Sequence, residues 1–341
     1  LWEMTVDFRS DTFTKPSPGM KAAMFDAEVG DDVYGEDPSV NELELTAARL
    51  FGREAALFSP SGTMSNQIGI KVHTRPGDEV ICDAQAHVYI YEGGGIAFNS
   101  GSQVKALVGD RGRITAAQIA NAINPDDVHK ARTSLVCLEN TSNRGGGACY
   151  DLAAMQEIKD LCTTNNLKLH LDGARLFNAL VATGAAATDY GRLFDSISIC
   201  LNKGLGCPIG SILIGDADYI KQARRIRKVF GGGMRQAGYM AAAGIYALEN
   251  NIGRLATDHQ HASALANKLA TKDFVTDIMP VETNIVIFTV NGKYTAAQLA
   301  AVLREKNIRC SPISPTQVRM VTHLDISAAM IDYSLQVIES L

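Results

Sequence analysis

Several things are scarce or missing in this sequence, and each absence excludes a class of protein. No apolar run approaches the ~20 residues that a membrane-crossing helix needs. The first residues carry no basic-then-apolar leader pattern, and the chain opens on Leu1 rather than Met, which points to a trimmed start. Basic residues are not in excess: 32 Lys and Arg stand against 37 Asp and Glu, for a net charge of −5. A nucleic-acid binder would show a strongly basic footprint instead. The seven cysteines are odd in number and form no C-x-x-C pair, so neither a disulfide framework nor a zinc ribbon is indicated. They sit in or beside apolar runs and read as small core residues in a reducing, cytoplasmic setting. No internal repeat or low-complexity segment interrupts the chain, and the P-loop spacing G-x-x-x-x-G-K-[ST] is missing.

What is present fits a globular chain of more than one domain. Hydrophobic residues make up 46% of the sequence, and its 341 residues exceed a single small domain. Residues 1–38 are loop-rich, with Pro16, Pro18, Gly30, Gly35 and Pro38, and form an N-terminal arm. Residues 39–250 alternate strand-like and helix-like stretches and read as a large α/β domain. Residues 251–341 read as a smaller C-terminal α/β domain. Ser39-Val40-Asn41-Glu42 has the capping-box pattern and predicts a helix start. Apolar runs at Ala55–Phe58, Glu79–Cys82, Leu135–Leu138, Leu167–Leu171, Ser196–Leu201 and Ser211–Ile214 predict strands of a mainly parallel sheet covered on both faces. Ligands bind such sheets at the carboxyl ends of the strands, so the residues just after each run are the candidates.

Four constellations stand there. Ser61-Gly62-Thr63-Met64-Ser65-Asn66 lies between a strand run and a helix, where unpaired amides and the positive dipole end suit an anion. An ordinary Ser-Gly cap is the alternative. His170-Leu171-Asp172-Gly173-Ala174-Arg175 ends another run. A buried strand-end Asp needs a partner, either a cationic ring nitrogen or, locally, Arg175. Asn202-Lys203-Gly204 follows a third run; its lysine could form a Schiff base or be a surface lysine in a glycine turn. Gly231-Gly232-Gly233-Met234-Arg235 follows the basic stretch Arg224–Lys228 and reads as an anion holder or as a flexible link beside a solvated basic face. Phosphate cradle, acid and lysine, in this order, match the needs of pyridoxal 5′-phosphate (PLP).

These stretches also resemble the threonine aldolases of the L-allo- and low-specificity type, within the fold-type-I PLP-dependent enzymes. Asp7-Phe8-Arg9-Ser10-Asp11-Thr12, Glu28–Pro38, Ser61–Asn66, His87-Val88-Tyr89-Ile90-Tyr91-Glu92, Asp172–Arg175, Asn202–Gly204, Gly231–Gln236 and Arg319–His323 carry the likeness over nearly the whole chain. The resemblance implies a fold-type-I, transferase-like α/β architecture. It makes Lys203 the Schiff-base lysine, Asp172 the partner of the pyridine nitrogen and His87 the ring that stacks on the cofactor. It places Ser61, Gly62, Thr63 and Arg235 on the phosphate, with Arg235 contributed by a neighbouring subunit in some assemblies. Ser10, Arg175 and Arg319 are implied to hold the substrate carboxylate, which a guanidinium fork suits. His129 is implied to lie near the substrate hydroxyl. Two positions depart from the family pattern: Asn202 where Ser is common, and Ser142 where His is common.

The implied activity is retro-aldol cleavage of L-threonine or L-allo-threonine to glycine and acetaldehyde by a PLP-dependent aldehyde-lyase. His87, His129 and a bound water are the candidate bases, with His129 or a water it holds preferred, because one ring cannot easily both stack and deprotonate. A β-eliminating lyase or an aminotransferase shares the cradle, acid and lysine and is the alternative. No metal, nucleic acid or membrane is expected. The resemblance further implies a homotetramer, with the arm packed across a subunit interface and active sites completed between chains.

Overall fold

The computed structural model describes residues 5–341; residues 1–4 of the arm lie outside the described residues. The strands in chain order are β1 Val6–Asp7, β2 Ala55–Ser59, β3 Asp78–Asp83, β4 Gln103–Leu107, β5 Arg132–Glu139, β6 Lys168–Asp172, β7 Ser196–Cys200, β8 Ser211–Gly215, β9 Val275–Ile278, β10 Ile285–Val290, β11 Ile308–Arg309, β12 Ser311–Pro312 and β13 Gln317–Val321. Seven of them form one sheet in the order β2-β8-β7-β6-β5-β3-β4. Only β8 runs against the rest, pairing antiparallel with both β2 and β7. The expected mainly parallel sheet is thus present, with one reversed strand. Its central strands β3, β5, β6, β7 and β8 are buried almost throughout, because helices cover both faces, and this makes their sequences continuous apolar runs.

The edges are different. β4 alternates exposed and half-buried residues and carries Lys105, so it lacks the apolar signature that marks the other strands. The C-terminal unit holds an antiparallel sheet in the order β12-β13-β10-β9. Helices Leu255–Leu269, Ala296–Glu305 and Ala328–Glu339 bury Leu265, Leu299 and Val337 in its core.

The cap of the first long helix lies two residues earlier than the capping-box pattern predicts. Pro38 takes the first helical position and Asp37 caps it, accepting from the Val40 amide at 3.0 Å. The Asp37 carboxylate also accepts from Gly30 and Gly238, so it ties the arm to both helices. The arm itself divides. Val6 and Phe8 bury in the C-terminal core, β1 pairs with β11, and His323 bonds both Thr14 and the Asp7 carbonyl. Helix Pro18–Phe25 instead packs on helix Gly238–Asn250. The arm therefore has packing partners within its own chain.

The basic stretch before the triple glycine is only partly a solvated face: Arg225 and Lys228 are exposed, the other two arginines are not. Arg227 is fully buried and pairs with Asp32 at 2.7 Å, and Arg224 bonds Glu44 at 2.6 Å. All seven cysteines are free and buried, in line with the reading of them as core residues. No helix among the described residues is long and apolar enough to cross a membrane.

Candidate active site

The carboxyl ends of β2, β5, β6 and β7 converge on one cluster. After β2 the chain turns into helix Gly62–His73, capped by Ser61, whose hydroxyl accepts from the Met64 amide at 3.2 Å. The amides of Gly62 and Thr63 then stand in the first turn with no carbonyl behind them in the helix. A Cβ on Gly62 would run into the Sγ of Cys200, the last residue of β7, so only glycine leaves the cradle open.

Asp172 ends β6 and is buried. Its Oδ1 accepts from the Ala174 amide at 3.1 Å, whereas its Oδ2 is buried with no partner. Arg175, the local partner that the sequence leaves open, is engaged elsewhere: it forks onto Asp11 through Nε and Nη2, both at 2.7 Å. A buried carboxylate oxygen with nothing to bond is costly unless a ligand fills the place. This orphan, with the glycine-only cradle, is what a protonated pyridine nitrogen and a phosphate fit.

His87 begins the turn after β3, with its amide bonded to Glu139 Oε2 at 2.8 Å. Its Nδ1 meets Glu92 Oε1 at 2.9 Å. Burial alone would lower its pKa, but the Glu92 hydrogen bond and the Asp172 charge outweigh this and raise it. Ligand atoms of His87, Glu92 and Asp172 lie within 4.8 Å of one another, a grouping a metal could also use. Both Glu92 oxygens, however, already accept from Asn66 and Gln67. Glu139 ends β5 and is pushed up to about 7 by burial and by the neighbouring Asp172.

Lys203 stands in the turn after β7, half-buried, and its charge is felt at Asp11, His87 and Cys200. Asn202 precedes it, also half-buried. Arg319 on β13 reaches the cluster from the C-terminal unit. Its Nη1 donates to the Arg9 carbonyl at 3.1 Å and its Nη2 to Asn143 Oδ1 at 2.7 Å, while its Nε is buried without a partner. Burial, with the Arg175 cation nearby, brings its pKa down to about 10. Asp11 forms its ion pair with Arg175; burial pushes the Asp11 carboxyl up, but the Arg175 guanidinium, helped by the Lys203 and Arg319 charges, overrides this and holds it well below the usual range. The pair is left with one cation more than it has anions, and a carboxylate ligand would complete it. Ser10 lies beside it, its hydroxyl taken by Thr12 as a 3₁₀-helix cap.

Two predicted side chains are not engaged with this cluster within their own chain. His129 is exposed, bonded to Asp127, three residues before β5 begins, so it sits at the opposite end of the sheet from Glu139 and Asp172. The eight residues of β5 separate the two ends by roughly 25 Å. Arg235 is 57% exposed and pairs with Asp31 at 2.8 Å. Ser142 bonds the Gly145 amide at 3.2 Å and packs where Gly112 and Gly145 have no side chains, so its small size belongs to a tight loop. The sequence reading gives no role to Asp11, Glu92 or Asn143. Asp11 and Glu92 stand in the stretches that carry the resemblance, where an acid beside an apolar run was the available signal; Asn143 carried none.

Comparison with known proteins shows the family. The model of the beta-eliminating lyase family matches residues 7–293. Over 325 residues the chain is 46% identical to the low specificity L-threonine aldolase of Escherichia coli strain K12, covering 94% of this chain and 95% of that one. It is 38% identical over 338 residues to low-specificity L-threonine aldolase 1 of Arabidopsis thaliana, covering 97% and 94%. The solved structure of Leishmania major threonine aldolase superposes with a TM-score of 0.85 at 22% identity over 98% of this chain and 99% of that one, a likeness of fold. By these matches the chain belongs to the beta-eliminating lyase family and, within it, to the threonine aldolases.

Proposed function

We propose that the protein cleaves L-threonine and L-allo-threonine to glycine and acetaldehyde in a retro-aldol reaction. The chain is a lyase that uses PLP; Lys203 is the amine that holds it, the Gly62 and Thr63 amides with Ser61 its phosphate site, and Asp172 its ring-nitrogen partner. When bound, PLP supplies an electron sink for the pair left on Cα, which works only while its ring nitrogen is protonated. Asp172 Oδ2 keeps that proton in place, and this unpartnered oxygen is the observation that carries the reading.

Arg319, with the free edge of Arg175, holds the substrate carboxylate, and Ser10 lines the same pocket. The Cα–Cβ bond breaks as the β-hydroxyl gives up its proton, acetaldehyde departs, and a proton returned to Cα completes glycine. His87 is the imidazole that the chain itself supplies for this proton. With Nδ1 committed to Glu92, its Nε2 is the nitrogen free to act. His129 and Arg235 serve, in this reading, a site on a neighbouring copy of a homotetramer. The arm 1–38, large domain 39–250 and small domain 251–341 are the working units, and the cytoplasm is the working compartment.

The test is a product assay on PLP-loaded protein with each threonine isomer separately. Acetaldehyde and glycine support the reading; keto acid and ammonia would move it to an eliminating lyase. Lys203→Ala is expected to abolish turnover, and near-normal glycine formation by that variant would falsify the assignment.

A further inference from the structure

Helix Gly62–His73 does more than open the cradle at its first turn. From its middle, Asn66 Nδ2 donates to Glu92 Oε1 at 3.0 Å. Asn66 Oδ1 faces Nε2 of His170, on β6, at 3.2 Å. His170 Nδ1 meets the hydroxyl of Ser196, the first residue of β7, at 2.8 Å. The same hydroxyl meets His73 Nε2, at the far end of the helix, at 2.8 Å. Asn66, His170 and Ser196 are buried between helix and sheet, where apolar side chains would pack at less cost.

The direction of every bond in this row is forced. A carboxylate accepts, so Asn66 turns its amide nitrogen to Glu92 and its oxygen to His170. His170 must then carry its proton on Nε2. Burial holds its pKa near about 3, so the ring is neutral and Nδ1 is an acceptor. Ser196 donates to it and accepts from His73 Nε2–H. Gly69 leaves the space for this ring, since a Cβ there would strike His170. An amide does not relay protons, so the row orients and does not conduct.

We propose that Asn66, His170, Ser196 and His73 form a one-way hydrogen-bond chain of positioning residues that fixes the Glu92 carboxylate and, through it, the nitrogen that His87 presents to the bound cofactor and substrate. The proposal rests on the reading that His87 faces that site. Its first test is the ring-nitrogen signals of isotope-labelled histidine in the wild-type holoenzyme. His170 is expected as the Nε2–H tautomer, unchanged across neutral pH. A proton on Nδ1, or a charged ring, overturns the chain. The second test compares His170→Phe, which keeps the ring volume and loses both nitrogens, with His170→Gln, which restores an N–H toward Asn66. His170→Phe should scramble the His87 tautomer and lower kcat about tenfold with KM within about twofold; His170→Gln should recover most of both. Unchanged His87 signals in His170→Phe would overturn the proposal. Should that variant not fold, Ser196→Ala removes the donor to His170 Nδ1 while the Asn66 end still sets the proton; the Nε2–H tautomer should persist with a shifted Nδ1 signal, and a proton moved to Nδ1 counts against the chain. Loss of aldolase products with the histidine signals as expected would refute the proposed reaction and leave the chain standing.

Discussion

The two ends of the large sheet make different use of similar residues. At the carboxyl end, Asp172, Glu139 and Lys203 are brought together by parallel strands that all finish on one side, and Arg319 is carried to them by the C-terminal sheet. At the amino end, His129 is a histidine with a carboxylate neighbour, as His87 is, yet it lies in solvent and bonds only Asp127. Local motif does not distinguish the two; strand direction does. A loop that enters a parallel strand and a loop that leaves it are a strand length apart, however alike their residues.

The comparison breaks most severely at the carboxyl end. Asp172→Asn is expected to cost on the order of a thousandfold in kcat or more, as a lost electrostatic partner of the reacting group does. It should leave stability nearly unchanged, because the oxygen it alters has no partner to lose; turnover within tenfold of wild type would remove Asp172 from the mechanism.

The two arginines sharpen the contrast next. Arg175→Leu strands a buried Asp11 and should destabilise the fold by about 3–5 kcal/mol in denaturant titration. Arg319→Leu removes a cation from beside another, so stability should change by only about 1 kcal/mol while KM rises about tenfold to a hundredfold. Equal stability losses in the two variants would contradict the division of labour. The Arg175–Asp11 pair also has a pH signature. Asp11 titrates lower folded than unfolded, so its stabilisation is present above about pH 4 and is lost as pH falls below that.

His170, buried, and His73, half-buried, add a second dependence at higher pH. His170 and His73 titrate near about 3 and about 4 in the fold, against about 6.5 in the unfolded chain. The unfolded state therefore binds protons first as pH drops. Stability should decline from about pH 6.5 downward by up to about 1.4 kcal/mol per unit for each ring. His170→Phe should flatten that slope by one ring's share; an unaltered slope would show that His170 is not held neutral.

The smallest effect belongs to the two exposed side chains, Arg235 and His129. Arg235→Ala gives up one exposed ion pair and should shift stability by less than about 1 kcal/mol. His129→Ala chains, inactive if His129 serves another copy, should regain activity when co-assembled with Lys203→Ala chains. No recovery in mixed assemblies would refute the shared site.

The sequence discloses what repeats locally. Continuous apolar runs mark the buried central strands, and the Ser-Gly turn marks the cradle. β4 and β9 escape because edge strands mix exposed and half-buried residues. The helix cap moves from Ser39 to Asp37 because proline at the first helical position overrides the capping-box pattern. The resemblance points to Lys203, Asp172 and His87, which the fold places near one another, but it does not show that Arg175 is spoken for by Asp11, a pairing across 164 positions. Nor can spacing reveal that Asn66 and His170 meet across 104 positions. Those facts belong to packing, and no local pattern encodes them.

Arg319 donates to the carbonyl of Arg9, 310 positions away, and β1 lies against β11. For a chain made from its amino end, this sets an order of events. The large sheet can assemble while synthesis continues, but the carboxylate pocket cannot close until β13 has left the ribosome and the arm has found it. Contacts this distant form late and slowly. A chain that stops before β13 would thus have the large sheet without a finished carboxylate pocket. Tying β1 to β11 and Arg9 to Arg319 makes the substrate pocket wait for both sheets.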